Sequence, residues 1–215
     1  MSAPAQVTRI STDSLKGTRV GCCPNNPGCK CETCPACRQY ATAKGRGKGK
    51  PGYVQALKKA AVLGHAAAAC NVGFAYDTGV GVPQDGSLAV MWYARAVELG
   101  SDAAAYNLAQ CYLGGQCGLD VDKSEAARLY QLAVARGHDD ACASFGLMLK
   151  DGDGIECDKA RAQEVYKLGV SRGNVLCMAC LGKLLEEKGD IDEALSLFRR
   201  GHNGAVDVGG GVSLG

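Results

Sequence analysis

The sequence predicts an all-α protein, a right-handed α-solenoid of antiparallel helix pairs behind a disordered N-terminal arm. Three observations predict it. Gly64, Gly100, Gly137 and Gly173 recur at intervals of 36, 37 and 36 residues, a spacing that fits a two-helix repeat. Asp85, Asp122, Asp158 and Asp190 are each followed by an alanine four residues on (Ala89, Ala126, Ala162, Ala194) and by an aromatic eight residues on (Tyr93, Tyr130, Tyr166, Phe198). Between these markers, small and apolar residues fall at helical spacing, as Val72, Gly73 and Tyr76 do.

Taken in order, residues 1–50 read as a Cys-rich and basic arm, 51–203 as the repeat array and 204–215 as a Gly-rich disordered tail. PGYVQALKKAAVLG (51–64) matches only a second helix, with Pro51 near a first helical position, so the array is expected to open on a half-repeat. The first full unit begins with a helix over about 67–76. The loop DTGVGVPQD then stops it, because glycine accepts the positive φ of a helix end. The second helix starts at Asp85, a favoured N-cap, and runs to Gly100. The next two units repeat this plan, and Asp122 with Glu125, like Asp190 with Glu193, has capping-box spacing. Gly182 to Asp190 spans only eight residues against twelve or thirteen in the other units, so the last loop is shortened. The closing stretch GHNGAVDVGGGVSLG is too rich in glycine to predict a helix.

Composition narrows the class. At 47% hydrophobic and 21% charged residues the chain reads as globular, and no stretch approaches the roughly 18 apolar residues of a membrane helix. Thirteen cysteines, an odd number without a secretory h-region, suggest a reducing, intracellular setting. The Ser/Thr-rich, acid-poor start keeps a transit-peptide reading open, so the expected localisation is cytoplasmic with other compartments allowed. No acidic residue lies between Glu32 and Asp77, while Arg38, Lys44, Arg46, Lys48, Lys50, Lys58 and Lys59 are basic. This stretch reads as a solvated linker rather than a nucleic-acid surface.

The segment TGVGVPQDGSLAVMWYARAVELG (78–100) resembles a Sel1-like repeat, with the G-x-G-V loop, the Asp, the Ala and the Trp92–Tyr93 pair in order. Gly73, Ala109, Gly146 and Gly182 match the small residue that Sel1-like and tetratricopeptide repeats place on their first helix. The resemblance implies a TPR-like superhelix over about 51–203 that acts as a protein–protein interaction scaffold or adaptor, with a peptide or partner protein on its concave face. By the same resemblance Asn71, Asn107 and Ser144, equivalent positions of successive first helices, face that partner. The basic residues of a carboxylate clamp are missing, so no C-terminal specificity is carried over. Bracing of neighbouring helices is the alternative role of these polar residues.

No motif sets a base beside a nucleophile, so neither catalysis nor a cofactor is expected. DGDGIE (151–156) places glycine fourth rather than sixth and reads as a repeat loop, not a calcium loop. Cys22, Cys23, Cys29, Cys31, Cys34 and Cys37 have C-C, C-x-C and C-x-x-C spacings that suit zinc or copper(I) thiolate binding. Redox-sensitive thiols on a flexible arm and a disulfide-bonded miniature domain fit the same block. Metal binding through this cluster is the competing function.

Overall fold

A computed structural model describes residues 34–207. These residues form ten α-helices and no strand: α1 (Pro35–Arg46), α2 (Tyr53–Val62), α3 (Ala66–Thr78), α4 (Gly86–Glu98), α5 (Asp102–Gly114), α6 (Lys123–Ala135), α7 (Asp139–Asp151), α8 (Lys159–Ser171), α9 (Val175–Lys188) and α10 (Ile191–Asp207). Each odd-numbered helix packs most heavily on the even-numbered helix after it, and each pair packs on the next. The expected solenoid is observed, with one continuous core running from Ala43 to Leu197.

The junction between pairs is built from two residues. Gly64, Gly100, Gly137 and Gly173 take φ of 91°, 95°, 98° and 83°, the left-handed conformation that ends a helix without a Cβ clash. The N–H of the next residue then donates back into the finished helix. His65 reaches Ala60 O, Ser101 Ala96 O, His138 Ala133 O and Asn174 Gly169 O, at 3.1, 2.9, 3.0 and 3.0 Å. In three junctions the same residue caps the following helix. Ser101 Oγ accepts from the Ala104 N–H at 3.1 Å, Asn174 Oδ1 from Cys177 at 2.9 Å and His65 Nδ1 from Ala68 at 3.2 Å. One residue thus stops one helix and starts the next, which fixes the angle between them.

The turn inside each pair is equally regular. Asp85, Asp122 and Asp158 donate their N–H to the carbonyls of Tyr76, Tyr112 and Leu149. Their side chains accept from the N–H groups of Leu88, Glu125 and Arg161 at 3.0, 3.0 and 2.9 Å, as N-cap aspartates do. The capping box expected at Asp122 does not close. Its N–H serves Tyr112, and Glu125 turns to Arg128 at 2.6 Å.

Close approach within a pair rests on a small residue facing a ring. A Cβ on Gly73 would lie 2.7 Å from the Tyr93 ring, one on Gly146 2.4 Å from Tyr166, and one on Gly182 2.6 Å from Phe198. Tyr93, Tyr130 and Tyr166 are fully buried, as are Ala89, Ala126 and Ala162 one turn earlier. Trp92, beside Tyr93, packs partly buried against the same core.

The ends differ from expectation. The solenoid begins at Pro35, not at 51, because α1 carries its own apolar stripe (Ala36, Tyr40, Ala43) and lays it on α2. The opening unit is therefore a full pair, and the disordered arm does not extend over 35–46. At the other end the helix continues through Gly201 and Gly204 to Asp207, so the tail does not begin at 204. Ala194 and Leu197 bury one stripe of α10 against α9, while Asp192, Glu193, Ser196, Arg199 and Arg200 stay exposed. Ile191 and Leu195 are exposed on the same outer face, so it is mixed in character.

Gly146→Leu tests the packing rule. Helix propensity alone favours leucine by nearly 1 kcal/mol. Overpacking against Tyr166 is expected to outweigh this, leaving the protein about 2–3 kcal/mol less stable. Urea denaturation followed by circular dichroism reads the difference.

Candidate functional site

The first helices define the candidate binding face. α3 touches α5 and α7 touches α9 directly, whereas among the described residues no two second helices make comparable contact. The odd-numbered helices therefore converge on the inner side of the curve. Asn71, Asn107 and Ser144 lie there on α3, α5 and α7, all half-buried.

The geometry of the two asparagines shows bracing. Asn71 Nδ2 donates to the Tyr40 hydroxyl at 3.0 Å, and Asn107 Nδ2 points to Cys70 Sγ at 3.9 Å. Each amide thus reaches back to the first helix of the preceding pair. Tyr40 also packs against the His65 ring, with centroids 4.2 Å apart, so α1, α3 and the α2–α3 junction meet at one point. His138 repeats the arrangement two pairs later, stacked on Tyr106 at 4.5 Å.

One helical turn beyond Asn71 and Ser144 stand Phe74 and Leu147, 43% and 47% exposed. Between α5 and α7 a cleft of about 380 Å³ is lined by Gln110, Leu113, Tyr130, Ser144, Leu147 and Asp151 among others. The Tyr130 hydroxyl is buried with no hydrogen-bond partner. Burial pushes the Tyr130 phenol up to about 12, so it remains a neutral donor. Phe74, Gln110 and Leu147 escaped the sequence reading. The available signal was that they follow the Asn/Asn/Ser positions by three residues and are off the buried stripe of each helix.

The repeat alignment is matched by known proteins. The Sel1 repeat family matches residues 66–101 and 102–138, which are α3 with α4 and α5 with α6, each closed by its junction. Residues 66–138 carry two Sel1 repeats. The Sel1 repeat protein of Oxalobacter formigenes is 26% identical with a TM-score of 0.70, over 79% of this chain and 74% of that one. A protective antigen of uropathogenic Escherichia coli with an SLR fold is 27% identical at the same TM-score, over 78% of this chain and 38% of its own. Chitin synthase regulatory factor 3 of Schizosaccharomyces pombe is 33% identical over 99 residues, which is 45% of this chain but 11% of that protein. The chain thus corresponds to a small part of that curated relative.

The N-terminal cysteines, the 151–156 loop and the Cys177–Cys180 pair of α9 are placed as follows. Cys34 is buried at the N-cap of α1 and Cys37 lies in its first turn, while Cys22, Cys23, Cys29 and Cys31 lie outside the described residues. In the DGDGIE loop Asp153 pairs with Lys123 at 2.7 Å and Asp151 with Lys150 at 3.2 Å. Cys177 is fully buried against Gly169, where a Cβ would fall 2.2 Å from its sulfur. Its C-x-x-C partner Cys180 is half-buried. No described helix is long and apolar enough to cross a membrane.

His65 gives this face a pH dependence. Burial lowers its pKa, and Lys44 lowers it further. A lowered folded-state value means that the unfolded chain binds the extra proton first. Stability is therefore full above the ordinary histidine pKa of about 6.5 and is lost as pH falls below it. His65→Asn keeps a capping acceptor without the titration. The variant is expected to lose less melting temperature between pH 7.5 and 5.5 than the parent, measured by scanning calorimetry.

Proposed function

We propose that the chain is a protein-binding adaptor whose inner face holds an extended peptide or partner segment along α3, α5 and α7. The observation that carries this reading is the row of ligand-ready groups on that face. Phe74 and Leu147 expose apolar surface, Gln110 lies between them, and the cleft beside Leu147 contains a buried hydroxyl donor without a partner. Exposed apolar side chains next to an unpaired buried polar group are what a recognition site offers its ligand. In this reading Asn71 and Asn107 hold the wall in place through their donors and offer their side-chain oxygens to ligand N–H groups. Ser144 lines the cleft directly. The resemblance to a regulatory factor supports a role in binding rather than in chemistry. Thiolate metal binding at 22–37 is a separate proposal that this groove does not require.

Peptides selected from a random display library against the whole chain test the reading. Each apolar contact of this size contributes about 1.5–3 kcal/mol when buried. Phe74→Ser or Leu147→Ser is therefore expected to weaken selected peptides at least tenfold, read by fluorescence anisotropy. Met91→Ser, on the exposed side of α4, is expected to leave them unchanged. Equal binding by all three variants would remove the groove from the account.

A further inference from the structure

The α5–α6 loop departs from the repeat. It spans 115–122, one residue longer than the α3–α4 loop (79–85) or the α7–α8 loop (152–158). Counted from the junction glycine, Cys117 occupies the place of Gly81 and Gly154. Those glycines have φ of 77° and 72°, and Cys117 is the one described non-glycine residue with positive φ, at 60°. A side chain in this conformation costs on the order of 1 kcal/mol, and such strain concentrates where it serves a purpose.

The neighbouring helix makes room for the substitution. In the α7–α8 loop, Gly154 gives way to Lys123, the first residue of α6: a Cβ on Gly154 would lie 2.4 Å from that backbone. In the α5–α6 loop the roles are exchanged. A Cβ on Gly86, the first residue of α4, would lie 2.5 Å from Cys117 Cα. The glycine has moved across the contact, and the loop position is free to carry a thiol.

That thiol meets two other donors that no other repeat has. Cys117 Sγ lies 3.3 Å from Cys111 Sγ and 3.3 Å from Asp77 Oδ1. All three ligand atoms fall within 4.8 Å of one another. The equivalents of Cys111 are Ala75, Met148 and Leu184, and those of Asp77 are Leu113, Lys150 and Glu186. Tyr93 donates its hydroxyl to Asp77 Oδ2 at 3.2 Å, which orients the carboxylate with Oδ1 toward the sulfurs. An open cleft of about 450 Å³ adjoins Cys117, with Gln84, Ser87 and Gln116 on its walls.

We propose that Asp77, Cys111 and Cys117 form a three-ligand site for a thiolate-preferring divalent cation, zinc in the first instance, with its fourth position open to this cleft. Zinc–sulfur bonds of about 2.3 Å set two thiolates about 3.8 Å apart in a tetrahedron, and thiolate and carboxylate about 3.5 Å apart. The two separations made by Cys117, 3.3 Å to each partner atom, need to change by only about half an ångström. Burial, with the adjacent carboxylate, raises the pKa of both thiols. The same carboxylate opposes the thiolate that disulfide exchange requires, whereas a dication favours both thiolates. On binding, two thiol protons leave to solvent and the ion takes their place. Gly86 is a positioning residue, since a side chain there would push Cys117 away from the other two.

The experiment uses the full chain, reduced, with Cys22, Cys23, Cys29 and Cys31 replaced by serine. Zinc bound after gel filtration is counted by elemental analysis, and cobalt(II) is substituted to read sulfur-to-metal charge-transfer absorption. The expected result is one tight equivalent that Cys117→Ser and Asp77→Asn each remove. Circular dichroism checks that both variants stay folded. Gly86→Ala keeps every ligand and is expected to weaken zinc binding at least tenfold. Unchanged zinc stoichiometry in Cys117→Ser and Asp77→Asn would overturn the site. So would a parent that takes up no metal and instead loses two hydrogens to a Cys111–Cys117 disulfide in air.

Discussion

The pairs α3–α4, α7–α8 and α9–α10 depend on a second-helix aromatic packing onto a glycine of the first helix. Tyr93 on Gly73, Tyr166 on Gly146 and Phe198 on Gly182 lie so close that a methyl group would collide. The ring fills the space that would otherwise separate the two helices, and the alanine one turn before it lets the next pair approach. Because each pair meets only its neighbours, each needs its own packed side chain at this position, which is Leu57 in α2 and an aromatic in the later second helices. The junctions then set direction, with a left-handed glycine and a single capping residue turning each helix into the next. Spacing comes from the rings and angle from the junctions.

What was legible in the sequence follows from this division of labour. The glycine, aspartate and aromatic registers are dictated by backbone conformation and close packing, so they recur and can be read. The N-cap role of Asp85, Asp122 and Asp158 was readable for the same reason. The first helix was not. α1 needs no junction glycine before it, and its stripe of Ala36, Tyr40 and Ala43 is spread among basic residues beside a cysteine block. The extension of α10 past Gly201 and Gly204 was hidden by composition, because the periodic pattern had already ended. Equivalence between repeats singled out Asn71, Asn107 and Ser144 as candidates, and their place on successive first helices was legible for that reason. Phe74 and Leu147 were not legible, since an apolar residue on a helix reads as core until the burial of its neighbours is known.

The residues free to vary in such a fold are those that the repeat does not require. The inner-face side chains vary from Asn71 to Ser144 and from Phe74 through Gln110 to Leu147 while the core behind them stays regular. The α5–α6 loop goes further and breaks the rule. It accepts backbone strain at Cys117 and shifts a glycine to position 86. A repeat scaffold tolerates both kinds of variation because each change is felt mainly by adjacent pairs.

Native-state hydrogen exchange on Tyr130→Ala tests the packing claim most directly. Tyr130 is fully buried in α6 near the middle of the stack, and truncating a ring of this size costs about 3 kcal/mol or more. The account predicts that amide protection falls in α5 and α6, spreads to α4 and α7, and is retained in α1–α2 and α9–α10. A uniform loss across all ten helices, or a loss confined to the few amides around residue 130, would contradict nearest-neighbour packing through the aromatic contact.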